Sequence, residues 1–73
     1  MHLTERVAEN LRALRLGSNM SQETLAARAG VSVSYISMME RGQRRPPLDT
    51  LELLARALGI PPLSLLEARP RRR

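Results

Sequence analysis

The sequence MSQETLAARAGVSVSYISMMERG, residues 20–42, decides the fold of this 73-residue chain. It contains two short amphipathic segments, and each begins with a serine whose hydroxyl can cap a first helical turn, Ser21 and Ser32. Gly30 lies between the segments and permits a tight turn, and the apolar side chain of Val31 can fill the angle that results. The stretch therefore predicts two short helices packed at an angle to each other.

A longer helix is predicted before this stretch. It begins at Thr4, which can cap it, and runs to about Leu16. A polar break follows, in which either Gly17 or Asn19 can adopt the left-handed conformation that ends a helix. Apolar residues recur at helical spacing and predict one buried stripe along this helix: Leu3, Val7, Leu11 and Leu14.

Two further helices are predicted after the deciding stretch. The fourth helix begins at Leu48 or Asp49 and ends at Gly59. The proline pair at positions 61 and 62 suits only the first turn of a helix, so a short fifth helix is predicted from Leu63 to Ala68.

The composition fits one small helical domain. The chain is 42% hydrophobic but has no Phe, no Trp and one Tyr, so aliphatic side chains must fill a thin interior. Such a core suits packed helices better than a sheet. We expect an all-α, compact five-helix domain over residues 1–68 and a disordered basic tail over residues 69–73.

Several classes of site are excluded by the residues that the chain lacks. Without cysteine it can form neither a disulfide nor a thiolate zinc site, and its one histidine, His2, lies near the N-terminus, where a role as a metal ligand is not expected. No residue set offers a nucleophile with a base, so we expect no enzyme, no metal and no cofactor. The sequence shows neither a membrane-spanning apolar run nor a signal-peptide pattern, which predicts a cytoplasmic protein.

The charge of the chain points to a polyanionic partner. All 12 basic residues are arginine, and with 7 acidic residues they give a net charge of +5 and a pI near 11.5. Guanidinium groups suit bidentate contacts to phosphate and guanine. A GC-rich genome would also favour arginine codons, so charge alone does not identify the partner.

Five motifs, read together, resemble the phage-repressor and Cro type of helix-turn-helix family, also called the xenobiotic-response-element type. They are MSQETLA at 20–26, AGVS at 29–32, SYIS at 34–37, ERG at 40–42 and LARALGI at 54–60. The resemblance extends from Leu11 to about Leu66. It implies that Ser21 to Ala29 positions the unit and that Ser32 to Arg41 is the recognition helix, which enters the major groove of double-stranded DNA.

The resemblance also implies which side chains meet DNA. Ser21 and Gln22 would contact phosphate at the start of the positioning helix, where free amides favour an anion. Base-reading positions are Val33, Ser34, Ser37 and Met38, beside the capping Ser32 and with Tyr35 near the backbone. The backbone or the minor-groove edge would be held by Arg41, Gln43, Arg44 and Arg45.

The recognition helix departs from many relatives, which carry Gln, Asn or Arg at some base-reading positions. Two serines and two apolar side chains cannot make the bidentate contacts that discriminate guanine or adenine. We therefore expect thymine methyl contacts from Val33 and Met38, single hydroxyl bonds, and recognition of DNA shape. For Met38 the alternative is packing in the core.

Arg15 and Glu40 match a pair that the family uses structurally, to tie the first helix to the recognition helix. If the pair is buried, removal of one partner leaves an uncompensated charge and is costly. We therefore expect loss of Arg15 to unfold the domain rather than simply to weaken DNA binding.

Operators of such proteins are usually two-fold symmetric, which requires a homodimer. The terminal segment is more apolar than a chain of this size needs, so part of it is assigned to the dimer interface. The assigned residues are Ile60, Leu63, Leu65 and Leu66. For Leu63 and Leu66 the alternative is that they complete the core of a single chain.

These observations predict sequence-specific DNA binding and transcription regulation by a repressor or autoregulatory controller. Phage repressors, restriction-modification controllers and antitoxins all share this compact form, and the sequence does not choose among them. A protein-interaction module with the same fold is the alternative, supported by the bland recognition face and opposed by the clustered arginines. A protein partner, if there is one, is not identified.

Overall fold

The computed structural model describes residues 2–68, and the predicted tail at 69–73 lies outside them. The described chain contains four α-helices and one 3₁₀ turn, without a β-strand. The helices are α1 (Leu3–Gly17), α2 (Gln22–Ala29), α3 (Val33–Glu40) and α4 (Leu48–Leu58), and the 3₁₀ turn spans Pro62–Leu65. The prediction of an all-α fold is confirmed.

The predicted fifth helix from Leu63 to Ala68 is corrected to this single 3₁₀ turn. Hydrogen bonds from Ser64 N to the Pro61 carbonyl (3.0 Å) and from Leu66 N to the Leu63 carbonyl (2.9 Å) have the tighter 3₁₀ spacing. The carbonyl of Leu65, at the end of the turn, accepts a hydrogen bond from the side chain of Asn10 in α1. This carbonyl thus has a partner outside the segment.

The helix caps of the deciding stretch lie where the sequence predicts them. Ser21 Oγ accepts a hydrogen bond from Thr24 N at 3.0 Å, and Ser32 Oγ accepts one from Tyr35 N at 3.0 Å. Gly30, between the two helices, has a φ of 76°, in the left-handed region. The Ser21 bond thus caps the start of α2, and Gly30 and the Ser32 bond define the two ends of the turn between α2 and α3.

The start of α1 differs from the prediction. The helix begins one residue before Thr4, and the residue at its N-cap position, His2, makes no side-chain capping bond. Leu3 is 60% exposed because it lies at the free end of the helix, so its place in the buried stripe was wrong. At the other end Asn19, rather than Gly17, takes the left-handed conformation, with φ 58°.

The core is aliphatic and lies where the four helices and the 3₁₀ turn meet. Its largest members include Leu11, Leu25, Ile36, Leu54 and Leu65, each fully buried. Small side chains of α2, Ala26 and Ala29, are buried as well and let neighbouring helices approach closely. Val31 is half-buried and packs against this core, as predicted.

A buried asparagine joins the terminal segment to α1. Asn10 is 2% exposed, and its Nδ2 donates to the carbonyl of Leu65 (3.0 Å) and to that of Glu67 (2.7 Å). Both N–H groups of the amide are thereby used on backbone oxygens at the end of the 3₁₀ turn and just after it. The contact fixes the 3₁₀ turn, and with it the fully buried Leu65, against the first helix.

We predict that Asn10→Ala lowers the free energy of unfolding by about 1–3 kcal/mol, because the Leu65 carbonyl loses its donor in a buried site and the Glu67 carbonyl loses one in a partly buried site. Urea denaturation followed by circular dichroism measures the change. Glu9→Ala, on the exposed neighbouring position, is the matched control and should change stability by less than about 0.5 kcal/mol. Equal stability of the two variants would contradict the role assigned to Asn10.

Candidate nucleic-acid interface

One face of α3 packs into the core, and the opposite face is accessible to solvent. Ile36 and Met39 are buried, whereas the first turn, from Ser32 to Ser34, is exposed. Val33 is 37% exposed, which is enough for its methyl groups to meet a neighbouring surface. The helix therefore presents its N-terminal turn outward, as a reading helix requires.

The remaining predicted base-reading positions are half-buried. Ser37 and Met38 are both partly accessible, and the partly buried apolar side chains that pack against the core of residues 2–68 do not include Met38. Tyr35 does pack against that core, so its ring supports the helix from the side. The structure thus leaves Ser37 and Met38 on the outer face and gives Tyr35 a structural contact.

A polar pair ties α3 to α1. Arg15 Nε donates to Glu40 Oε2 at 2.6 Å and Arg15 Nη2 donates to Glu40 Oε1 at 3.0 Å, a bidentate fork. The side chains are only 9% and 3% exposed. The hydrogen bond to Glu40 raises the pKa of Arg15 above its ordinary value, against the opposing effect of burial. Arg15 is therefore a permanent cation of the interior.

The same pair reaches α2 and the segment that precedes it. Arg15 Nη1 donates to the Met20 carbonyl at 2.8 Å, and Gln22 Nε2 donates to Glu40 Oε1 at 3.1 Å. One carboxylate thus receives donors from both α1 and α2 while it belongs to α3. The relative placement of the three helices depends on these bonds.

The start of α2 offers amides to an anion, although one predicted contact is altered. Ser21 is exposed, and as a cap its hydroxyl already accepts from Thr24 N. The amides of Gln22 and Glu23 lie in the first turn, where a helix has no internal acceptor for them. The Gln22 carboxamide is predicted to contact phosphate, but one of its N–H groups donates to Glu40. The backbone amide of Gln22 is therefore better placed to donate to a phosphate.

A basic segment follows α3 and projects beyond it. Arg41, Gln43, Arg44 and Arg45 are all exposed. The chain turns at Gly42, whose φ is 75°, and the amide of Gln43 donates to the Met38 carbonyl at 2.9 Å. The α-helix therefore ends at a residue in the left-handed conformation, and this turn holds the basic segment beside the end of α3.

Arg41 makes contacts that the sequence did not predict. Its Nη1 donates to Ser37 Oγ at 2.5 Å, one turn back along α3. Its Nε and Nη2 donate to Gln43 Oε1 at 3.4 and 3.2 Å. The i, i+4 spacing of Ser37 and Arg41 is a signal that could have indicated the first of these bonds.

The predicted dimer residues divide between core and surface. Leu65 is fully buried in its own chain and has no surface for a second copy, which corrects its assignment. Ile60 and Leu66 are half-buried and pack against the core. Leu63 is 72% exposed, and Leu53 of α4, which the sequence analysis did not single out, is 41% exposed.

Neither a metal site nor a membrane segment is found in residues 2–68. They contain no group of three or more His, Asp or Glu side chains arranged to hold an ion. In the same part of the chain, no helix combines the length and the apolar character needed to cross a bilayer.

The chain matches the family model HTH_3, described as helix-turn-helix, over residues 11–65. It is similar to the control protein C.BamHI of Bacillus amyloliquefaciens, at 45% identity over 60 residues that cover 81% of this chain and 74% of that protein. Relatives differ in length, because the chain spans 29% of one curated regulator and 86% of another.

Solved structures of restriction-modification controllers have a similar fold. C.AhdI from Aeromonas hydrophila has a TM-score of 0.83 and 42% identity, with 85% of this chain and 94% of that chain covered. The C.Esp1396I tetramer, solved in complex with its natural 35 base-pair operator, has a TM-score of 0.82 and 29% identity, with 89% and 86% covered.

We predict that Arg15→Ala lowers the free energy of unfolding by about 3–5 kcal/mol, because Glu40 is left charged in a buried site. Chemical denaturation measures the loss, and Arg12→Ala, at an exposed position of the same helix, is the matched control.

The double variant Arg15→Met with Glu40→Met should recover part of that loss, because no buried charge is then left without a partner. A stable Arg15→Ala variant, indistinguishable from Arg12→Ala, would show that the pair does not hold the helices together.

Proposed function

The chain belongs to the helix-turn-helix family of the phage-repressor and Cro type, and on that premise we propose that it binds a two-fold symmetric DNA operator as a homodimer. In this proposal it regulates transcription as a repressor or autoregulatory controller, and it works in the cytoplasm, where the DNA of a bacterial cell lies. We assign it no catalytic activity.

The observation that carries the proposal is the outward first turn of α3, together with two places suited to phosphate. The exposed residues from Ser32 to Ser34 lie outside the core. The amides that begin α2 form one of these places, and the exposed arginines at 41, 44 and 45, which follow α3, form the other. A major groove about 12 Å wide admits a helix and has a phosphate backbone on each side, so a helix that reads bases needs phosphate contacts beside it.

Direct contacts to bases come, in this proposal, from Val33, Ser34 and Met38. Val33 and Met38 supply apolar contacts to thymine methyl groups, and the hydroxyl of Ser34 supplies a single hydrogen bond. The three arginines supply affinity that falls steeply with salt, because each phosphate contact releases a counterion.

The dimer interface is proposed at the end of the chain. Leu63 is 72% exposed on a turn that Asn10 holds in place, and Ile60 and Leu66 stand half-buried beside the core. An exposed leucine on a fixed turn is well placed to be buried by a second copy, and two copies related by a two-fold axis would read two half-sites.

The names of the relatives support a role in transcription regulation. Two are named as control proteins, C.BamHI and C.SmaI, one solved structure is a restriction-modification controller, and one relative is the immunity repressor of Bacillus phage phi105. Names of both kinds fit a repressor or autoregulatory controller, and one controller was solved with its operator DNA.

The decisive experiment is selection of bound duplexes from a random library at about 150 mM salt, followed by sizing of the complex. The proposal expects an enriched, two-fold symmetric motif bound by two chains. Binding at low salt without enrichment would contradict it and favour a protein-interaction module whose arginines give non-specific affinity alone.

We predict that Leu63→Glu weakens self-association by about ten-fold or more, because a buried leucine contributes roughly 1.5–3 kcal/mol. Sedimentation equilibrium measures the association, and affinity for the selected motif should fall in parallel. Leu16→Glu, at a 48% exposed position of α1, is the control and should leave both unchanged. Dimers of normal strength in Leu63→Glu would place the interface elsewhere.

A further inference from the structure

Arg41 directly follows α3, and within the described residues its guanidinium donates to two side chains, Ser37 and Gln43. We propose that it reads a guanine base in the major groove, with Ser37 and Gln43 as the residues that position it. The inference rests on the proposed function and changes the role of Arg41 from a phosphate contact to a specificity-determining residue.

The backbone fixes Gln43 first. At the end of α3 the amide of Gly42 donates to the Met39 carbonyl (3.1 Å) and that of Gln43 donates to the Met38 carbonyl (2.9 Å). This paired arrangement is a Schellman motif, which requires the left-handed Gly42 and leaves little freedom to the residue after it. The Gln43 carboxamide therefore starts from a defined position beside the helix.

Two side chains then hold the guanidinium of Arg41 against the helix. Gln43 Oε1 accepts from Nε (3.4 Å) and from Nη2 (3.2 Å), so it occupies the side edge of the guanidinium. Ser37 Oγ accepts from Nη1 at 2.5 Å. Because Ser37 lies one turn earlier, the guanidinium is drawn back along α3, toward the end that presents Val33.

The bonds leave two donors of Arg41 unused. Of the five N–H groups of a guanidinium, three are engaged by Ser37 and Gln43, and one on each terminal nitrogen has no partner within residues 2–68. One N–H on Nη1 and one on Nη2 can together form a donor pair that matches O6 and N7 of guanine. The guanidinium is exposed, so a DNA base can reach it.

The geometry favours a base over a phosphate as the partner. A phosphate contact depends mainly on charge, which Arg44 and Arg45 provide without being fixed by described side chains. Bidentate base contact depends on orientation, and prior fixing of the fork lowers the conformational cost of achieving it. No other residue at the predicted base-reading positions of α3 offers two donors in a plane, since these positions hold Val33, Ser34, Ser37 and Met38.

The test is selection from the random duplex library with the unaltered protein, Arg41→Lys and Arg44→Lys. Both variants keep the charge, but Lys lacks the planar fork. We expect the unaltered protein and Arg44→Lys to select the same guanine once in each half-site, and Arg41→Lys to lose that preference alone. Exchange of the guanine should weaken the unaltered protein about ten- to hundred-fold and leave Arg41→Lys unaffected.

The positioning role is tested by Gln43→Met and Gln43→Glu. Met removes the acceptor, so preference for guanine should fall while the dependence of affinity on salt stays the same. Glu restores an acceptor and should retain the preference, although its negative charge weakens binding to any duplex. Thermal melting verifies that all variants are folded.

An unchanged motif in Arg41→Lys, with affinity reduced equally on all duplexes, would overturn the inference and return Arg41 to the phosphate backbone. Equal preference in Gln43→Met and the unaltered protein would overturn the positioning role. If the unaltered protein selects no motif at all, the proposed function fails, and this inference fails with it. The three results are distinct.

Discussion

The rest of the structure depends on the bidentate bond between Arg15 and Glu40. The core is thin and aliphatic, and α2 contributes mainly alanines to it, so packing alone gives the short helices little to fix their angle. Hydrogen bonds are directional, and one carboxylate that receives donors from α1 and α2 defines where α3 lies. Because both side chains are nearly buried, neither charge can be exposed without disruption of the helices around it.

A second polar contact fixes the end of the described chain against α1. Asn10 lies on α1, as Arg15 does, and holds the carbonyls of Leu65 and Glu67. Leu65 thereby enters the core and Leu63 is left outside. The first helix thus connects the recognition helix with the surface proposed for dimer contact, and the distance between two reading helices in a dimer would be set through it.

Local features of the sequence predicted most of the fold. Ser21, Ser32 and the left-handed Gly30 act within one turn of their own positions, so their residue types are sufficient to place α2 and α3. The contact between Arg15 and Glu40 was anticipated through family resemblance, because a separation of 25 residues leaves no local trace. The contact of Asn10 with backbone carbonyls 55 and 57 residues away had no signal of either kind.

The burial of the leucines in the terminal segment could not be predicted from the sequence either. Its leucines are alike in the sequence, and which of them faces the core depends on the register of a 3₁₀ turn that Asn10 sets. On the recognition face, residue types gave the positions of the outward side chains but not the fork of Arg41, which depends on a Schellman turn and a neighbouring carboxamide. Side chains held by several partners are the ones that sequence patterns describe least well.

The central claim is that the first turn of α3, with the start of α2 and the arginine segment after α3, is the surface that meets DNA. The most direct test is titration of the isotope-labelled protein with its selected duplex, followed by amide chemical shifts in NMR spectra. The account predicts that the largest changes occur at residues 21–23, 32–38 and 41–45. Changes confined to other parts of the chain, with these residues unmoved, would contradict it.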